Sequence, residues 1–111
     1  MNTNRREHAR LKASVPVELR PEGSTFPIRG ATSDLSLDGC YIEMIFTLPV
    51  GTNLEITLQL DDTLLLLTTV VTSDPHVGNG IKFTKMLPED REELQSYLET
   101  AEKASQAESS E

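Results

Sequence analysis

Apolar and polar side chains alternate with period two along most of the chain up to residue 87. Val15, Val17 and Leu19 point one way and Pro16, Glu18 and Arg20 the other, as in a half-buried strand. Pro16, which has no N–H to offer a neighbour, predicts an edge position for it. Pro21 to Ser24 is turn chemistry, and a weaker strand is predicted over Phe26–Asp34. Asp38-Gly39 marks a tight turn. Cys40, Ile42 and Met44 then alternate with Tyr41, Glu43 and Ile45, until Leu48-Pro49-Val50-Gly51 breaks the pattern. The clearest alternation is Leu54, Ile56, Leu58 and Leu60 against Glu55, Thr57, Gln59 and Asp61. After the Asp61-Asp62-Thr63 turn, Leu64 to Thr72 is apolar on both faces over its first half, which predicts a central strand. Ser73 to His76 and Gly78-Asn79-Gly80 read as turns, and Ile81 with Phe83 begins a sixth strand.

Beyond Pro88 the period becomes helical: Leu94, Tyr97, Leu98 and Ala101 fall at i, i+3, i+4 and i+7. Pro88 suits a first helical position, and Glu89 and Asp90 complement the helix dipole there. Six short strands with turns between them indicate an antiparallel barrel or sandwich. Closing the sheet removes edges that so small a domain can hardly blunt otherwise. The expected fold is therefore mainly all-β: a six-stranded antiparallel β-barrel with a C-terminal α-helix and a flexible N-terminal arm. The expected organisation is an arm at 1–12, a barrel at 13–87, a helix packed on it at 88–104 and a disordered acidic tail at 105–111.

Charge changes this picture most at the arm. The 111 residues carry a net charge of −8, which argues against bulk binding to nucleic acid or an anionic membrane. Residues 1–20, however, hold Arg5, Arg6, Arg10, Lys12 and Arg20 against Glu7 and Glu18, a balance of +3. The chain is an acidic body with a basic head. Its single cysteine, Cys40, permits no internal disulfide and no thiolate metal cluster, and falls where a small core residue belongs. The basic head has no apolar stretch behind it and so is no secretory signal. The longest apolar run, Leu64–Leu67, is far short of a bilayer span. A soluble protein of a reducing compartment is expected.

Catalysis has little to stand on. The sequence contains no nucleophile elbow, no Gly-rich phosphate loop and no metalloprotease motif. His8 and His76 fall in the arm and in a turn, where solvated side chains belong. No catalytic residue, metal ligand or cofactor is assigned. Two clusters carry other chemistry. Arg6 and Arg10 form an Arg-x-x-x-Arg spacing, up to roughly 13 Å apart in an extended arm, and guanidinium groups grip phosphate and guanine edges with paired hydrogen bonds. Asp34-Leu35-Ser36-Leu37-Asp38-Gly39 is an Asp-x-Ser-x-x-Gly pattern. Its bland reading is a capped hairpin turn. Its functional reading makes Asp34 an acceptor for guanine N–H donors, Ser36 a donor to a phosphate oxygen, and Gly39 a point of close backbone approach.

The two clusters in this order resemble the motifs of the PilZ domain family. Gly80-Ile81-Lys82-Phe83 also resembles the strand that closes PilZ barrels, and an amphipathic helix follows it. The resemblance implies a bacterial, cytoplasmic receptor for the second messenger cyclic di-GMP, one that acts in biofilm or motility regulation. It implies ligand contacts from Arg5, Arg6, Arg10, Asp34, Ser36 and Gly39, with output through a protein partner and without nucleic acid or membrane insertion. Fixing six arm residues costs about 6 to 12 kcal/mol, while charge-assisted hydrogen bonds return about 1.5 to 3 each. A ligand with two phosphates and two guanines offers enough of them, so the arm is expected to be mobile alone and ordered on binding. The alternative is a PilZ-like interaction module of pilus or flagellar machinery that binds no nucleotide. A small barrel for single-stranded nucleic acid is disfavoured by five aromatics and an acidic body.

Overall fold

The computed structural model describes residues 10–109. Six strands, β1 (Pro16–Pro21), β2 (Ile28–Leu35), β3 (Gly39–Glu43), β4 (Asn53–Gln59), β5 (Thr63–Asp74) and β6 (Gly78–Lys85), precede one helix, α1 (Pro88–Ser109). The strands form a closed barrel in the order β1-β2-β3-β6-β5-β4, every neighbouring pair antiparallel. The alternation read from the sequence dictates which side chains fill it. Val17, Leu19, Ile42, Leu54, Ile56, Leu58, Leu64, Leu66 and Ile81 point inward and are buried. Cys40 joins this core, and burial pushes its thiol up to about 12.

Closure corrects two expectations. β1 is no edge, since it pairs with β2 on one side and β4 on the other. Pro16 is tolerated because it opens the strand: its partner is Ala31 on β2, and the β4 ladder begins only at Val17. The leucine run of β5 is likewise not buried on both faces. Leu64 and Leu66 face the core, whereas Leu65 and Leu67 stand on the barrel's outside, 55% and 44% exposed.

Gly78-Asn79-Gly80 is not a turn but the start of β6. Two of its residues lie where a side chain cannot: a Cβ on Gly78 would sit 2.4 Å from the Ile42 carbonyl oxygen, and one on Gly80 would sit 2.3 Å from Thr72 Oγ1. Close strand approach explains these glycines, and the turn itself is shorter. It runs through Pro75 and His76, and His76 takes the left-handed conformation at φ 66°.

α1 closes the end of the barrel next to the β4–β5 turn. Leu94 is fully buried in the core, and Tyr97 and Leu98 pack against it. Glu93 Oε2 accepts the Asp62 N–H at 3.0 Å, tying the helix to that turn. The helix continues to Ser109, five residues past the expected end at 104. No Gly or Pro follows Pro88, and Ala, Gln and Glu all propagate a helix. Among the described residues no helix is long and apolar enough to cross a membrane.

Candidate functional site

The site is built on the β2–β3 turn. Ser36 N–H donates to the Gly39 carbonyl at 2.9 Å, and Ser36 Oγ accepts the Asp38 and Gly39 N–H groups at 3.1 and 3.2 Å. The same hydroxyl donates to the Gly39 carbonyl at 3.3 Å, and Ser36 is only 3% exposed. Its hydroxyl thus closes the turn as both acceptor and donor. Leu35 and Leu37, on either side of it, are buried and anchor the turn in the core. Gly39 is required by packing: a Cβ there would lie 2.1 Å from the Ile81 carbonyl oxygen of β6. The close approach at Gly39 is made to a neighbouring strand.

Asp34 lies on the outer face. The β2–β3 register shifts between Thr32 and Asp34, which places Asp34 opposite Tyr41 and turns Leu35 inward against Cys40. The chain entering β1 runs alongside this bulge. Leu11 and Leu35 exchange both backbone hydrogen bonds, each at 2.9 Å, as an isolated antiparallel bridge. Thr32 Oγ1 accepts the Val15 N–H at 2.9 Å and donates to the Ala13 carbonyl. Thr32 is itself buried, so one side chain clasps the arm's root to β2.

This clasp delivers Arg10 to Asp34. Arg10 Nη1 donates to Asp34 Oδ1 at 2.7 Å, across 24 residues of sequence. The last residue of Arg-x-x-x-Arg and the first of Asp-x-Ser-x-x-Gly are therefore in direct contact, with Arg10 exposed and Asp34 half-buried. Arg5 and Arg6 lie outside the described residues. Of the arm expected at 1–12, Arg10 and Leu11 are held by contacts of their own.

Two neighbours complete the outer face. Tyr41 donates its hydroxyl to Asp74 Oδ2 at 2.8 Å, and that bond is the main cause pushing the phenol up to about 12. Lys82 is the β6 partner of Gly39 and is exposed, so its backbone lies one strand spacing, about 4.8 Å, from the end of the turn and its side chain stands on the outer face. Sequence reasoning passed over Lys82, although Ile81 and Phe83 point inward and so direct it outward. The face thus joins the cations Arg10 and Lys82, the carboxylate of Asp34 and the phenol of Tyr41 with its partner Asp74, a set suited to a compact anion bearing hydrogen-bond donors. A groove of about 450 Å³ lined by Arg20, Ser24, Glu55, Leu67 and Thr84 shares no residue with this face.

No curated protein sequence matches the chain. Solved structures share its fold, among them the following three. The PilZ domain of CeSA from a cellulose-synthesizing bacterium is 23% identical, with a TM-score of 0.67 over 85% of this chain and 98% of that one. The Bacillus subtilis inhibitor of motility (MotI/DgrA) is 17% identical, with a TM-score of 0.73 over 86% of this chain and 49% of that one. The PilZ domain of YcgR from Escherichia coli, solved with c-di-GMP, is 14% identical, with a TM-score of 0.75 over 97% of this chain and 99% of that one. Residues 4–100 match the PilZ domain. Motif order, barrel topology and this match agree, and the chain belongs to the PilZ domain family.

Proposed function

We propose that the chain is a receptor for cyclic di-GMP and that its ligand lies on the outer face between the arm and the β2–β3 turn. The observation that carries this reading is the 2.7 Å contact between Arg10 and Asp34, which assembles the two separate motifs at one place. Arg10 grips a phosphate or a guanine edge with its paired N–H groups, and Asp34 accepts from the guanine N1 and N2 donors. Arg5 and Arg6 supply the rest of the clamp. Lys82 adds a point charge for a phosphate. Ser36 and Gly39 act by holding the turn: one closes it and the other lets it approach β6. The family match and the YcgR structure with c-di-GMP support this choice of ligand. The receptor acts as an adaptor without chemistry of its own, in the bacterial cytoplasm where the messenger is found, and it signals through a protein partner.

Ligand binding and fold stability respond differently to the same change. Solvent-exposed ion pairs contribute about 0 to 1 kcal/mol to stability, so Arg10→Ala should leave the melting temperature nearly unchanged. Charge-assisted hydrogen bonds to a ligand contribute about 1.5 to 3 kcal/mol each, a loss of about 10- to 150-fold in affinity. Calorimetric titration of cyclic di-GMP into wild type, Arg10→Ala and Asp34→Ala decides the matter. Undiminished binding by both variants would sink the site. A wild type that takes up no nucleotide would leave the interaction-module reading in its place.

A further inference from the structure

Because the six strands alternate in direction, their connections alternate between the two ends of the barrel. The arm's root, the β2–β3 turn and α1 share one end. The connections at 22–27, 44–52 and 75–77 share the other, and they carry an unusual load of apolar surface: Phe46 is 86% exposed, Ile45 66%, Val50 62% and Val77 56%. The 44–52 loop contains no charged residue.

The loop is also held in place. Asn79, fully buried, accepts the Leu48 N–H on Oδ1 at 2.8 Å and donates from Nδ2 to the Leu48 carbonyl at 2.9 Å and the Thr72 carbonyl at 3.1 Å. Met44 N–H donates to the Val77 carbonyl at 3.1 Å, which joins the two connections, and Gly51 N–H donates to the Val70 carbonyl at 2.8 Å. A buried polar side chain thus fixes a loop whose own apolar side chains stand in water. Core formation does not call for that arrangement, whereas apolar anchors fixed before contact save the ordering cost of association.

Charge narrows the occupant. From Gly30 to Ile81 the chain has no Lys or Arg, and its acids there include Glu43 and Asp74, both exposed at the base of these loops. Arg20 and Arg29, which flank the 22–27 connection, both lie against Glu18, so the rim around 44–52 and 75–77 repels anionic lipid and favours cations around an apolar centre. We propose that Ile45, Phe46, Val50 and Val77 form a docking surface for a partner protein's apolar segment flanked by Lys or Arg. Its four apolar anchors lie outside the nucleotide face, which the rim meets at the Tyr41–Asp74 bond, and the proposal does not depend on which ligand that face takes.

The test is selection of phage-displayed random dodecapeptides on the full chain, with counter-selection on the Ile45→Ser, Phe46→Ser double variant. Enriched peptides should pair two apolar residues with neighbouring Lys or Arg, and their affinity should fall as salt is raised. Phe46→Ser should weaken them about 10-fold or more, the worth of one buried aromatic side chain. Glu43→Lys should weaken them several-fold and flatten the salt dependence, and it keeps the test open if the serine variants fail to fold. The proposal is overturned if no peptide is enriched over the double variant, or if the enriched peptides are acidic or bind Glu43→Lys equally well. It is equally overturned if flotation shows the wild type, but not the double variant, on phosphatidylglycerol vesicles. Sedimentation equilibrium showing self-association that Phe46→Ser abolishes would overturn it in favour of a second copy of the chain.

Discussion

Thr32→Val probes the clasp at the root of the arm. Valine keeps the shape of threonine, so nothing in the packing around β2 has to move, but it has neither the acceptor for Val15 N–H nor the donor for the Ala13 carbonyl. Each neutral hydrogen bond contributes about 1 kcal/mol net, and a buried N–H left without a partner costs about 1 to 3 kcal/mol. Thr32 is 3% exposed, so water does not readily replace the hydroxyl. The expected loss is about 2 to 4 kcal/mol, or about 8 to 16 °C in melting temperature for a domain of this size. Urea unfolding followed by far-ultraviolet circular dichroism measures it. Hydrogen exchange should show the loss locally, with the Leu11 and Val15 amides losing protection first. Thr69→Val is the control, because Thr69 Oγ1 makes one longer bond to the Thr52 carbonyl at 3.3 Å from a half-buried position; it should cost less than about 1 kcal/mol. A Thr32→Val variant as stable as the control, or one that kept full protection at Leu11 and Val15, would refute the clasp.

Gly39→Ala should cost about 3 kcal/mol in urea unfolding, since its Cβ meets the Ile81 carbonyl oxygen at 2.1 Å. Gly23→Ala has open space and only its φ of 82° to contend with, for about 1 kcal/mol; equal losses at the two glycines would argue against the strand contact. Cys40, with its thiol raised from 9.0 to about 12 by burial, should resist maleimide at neutral pH until the chain is unfolded. The unfolded thiol ionises first, so its contribution to stability is complete below pH 9 and falls away as pH rises towards 12. Flat stability through that window in urea titrations of wild type against Cys40→Ala would contradict the burial. Leu94→Ala should cost about 2 to 5 kcal/mol and raise exchange throughout α1, because Leu94 is the helix residue fully sunk into the core; a loss under 1 kcal/mol would show the helix to be a minor cover.

Strand positions were legible because each inward side chain is separated from the next by an outward one, and that pattern survives in the sequence whatever the strand pairs with. Pairing partners were not. Pro16 reads as an edge signal until the β1–β4 ladder is seen to begin one residue later, and Leu65 and Leu67 read as core until closure assigns them the outside. Gly78 and Gly80 carry the composition of a turn, and only the approach of Ile42 and Thr72 from neighbouring strands shows why a strand needs them. In the candidate site, the residue types of Arg10, Asp34, Ser36 and Gly39 were legible, but their division of labour was not. Whether a serine hydroxyl faces a ligand or its own backbone depends on hydrogen bonds three residues away. Lys82 was missed because its meaning lies in the register with Gly39, across more than 40 residues of chain.

An even number of alternating strands returns the chain to the rim from which it set out. β1 begins and β6 finishes on the same side, so the segment before the barrel and the helix after it leave together beside Asp34. The opposite rim consists of connections alone, the 22–27 and 75–77 hairpins and the 44–52 crossover from β3 to β4, which tolerate insertion and substitution without displacing either terminus. Residues 10, 34–39 and 82 share no position with 22–27, 44–52 or 75–77; a close-packed core lies between the two sets, and on the outside they meet at the Tyr41–Asp74 bond. Away from that bond, substitutions that retune one rim leave the other standing, and the two can diverge at different rates within one small barrel.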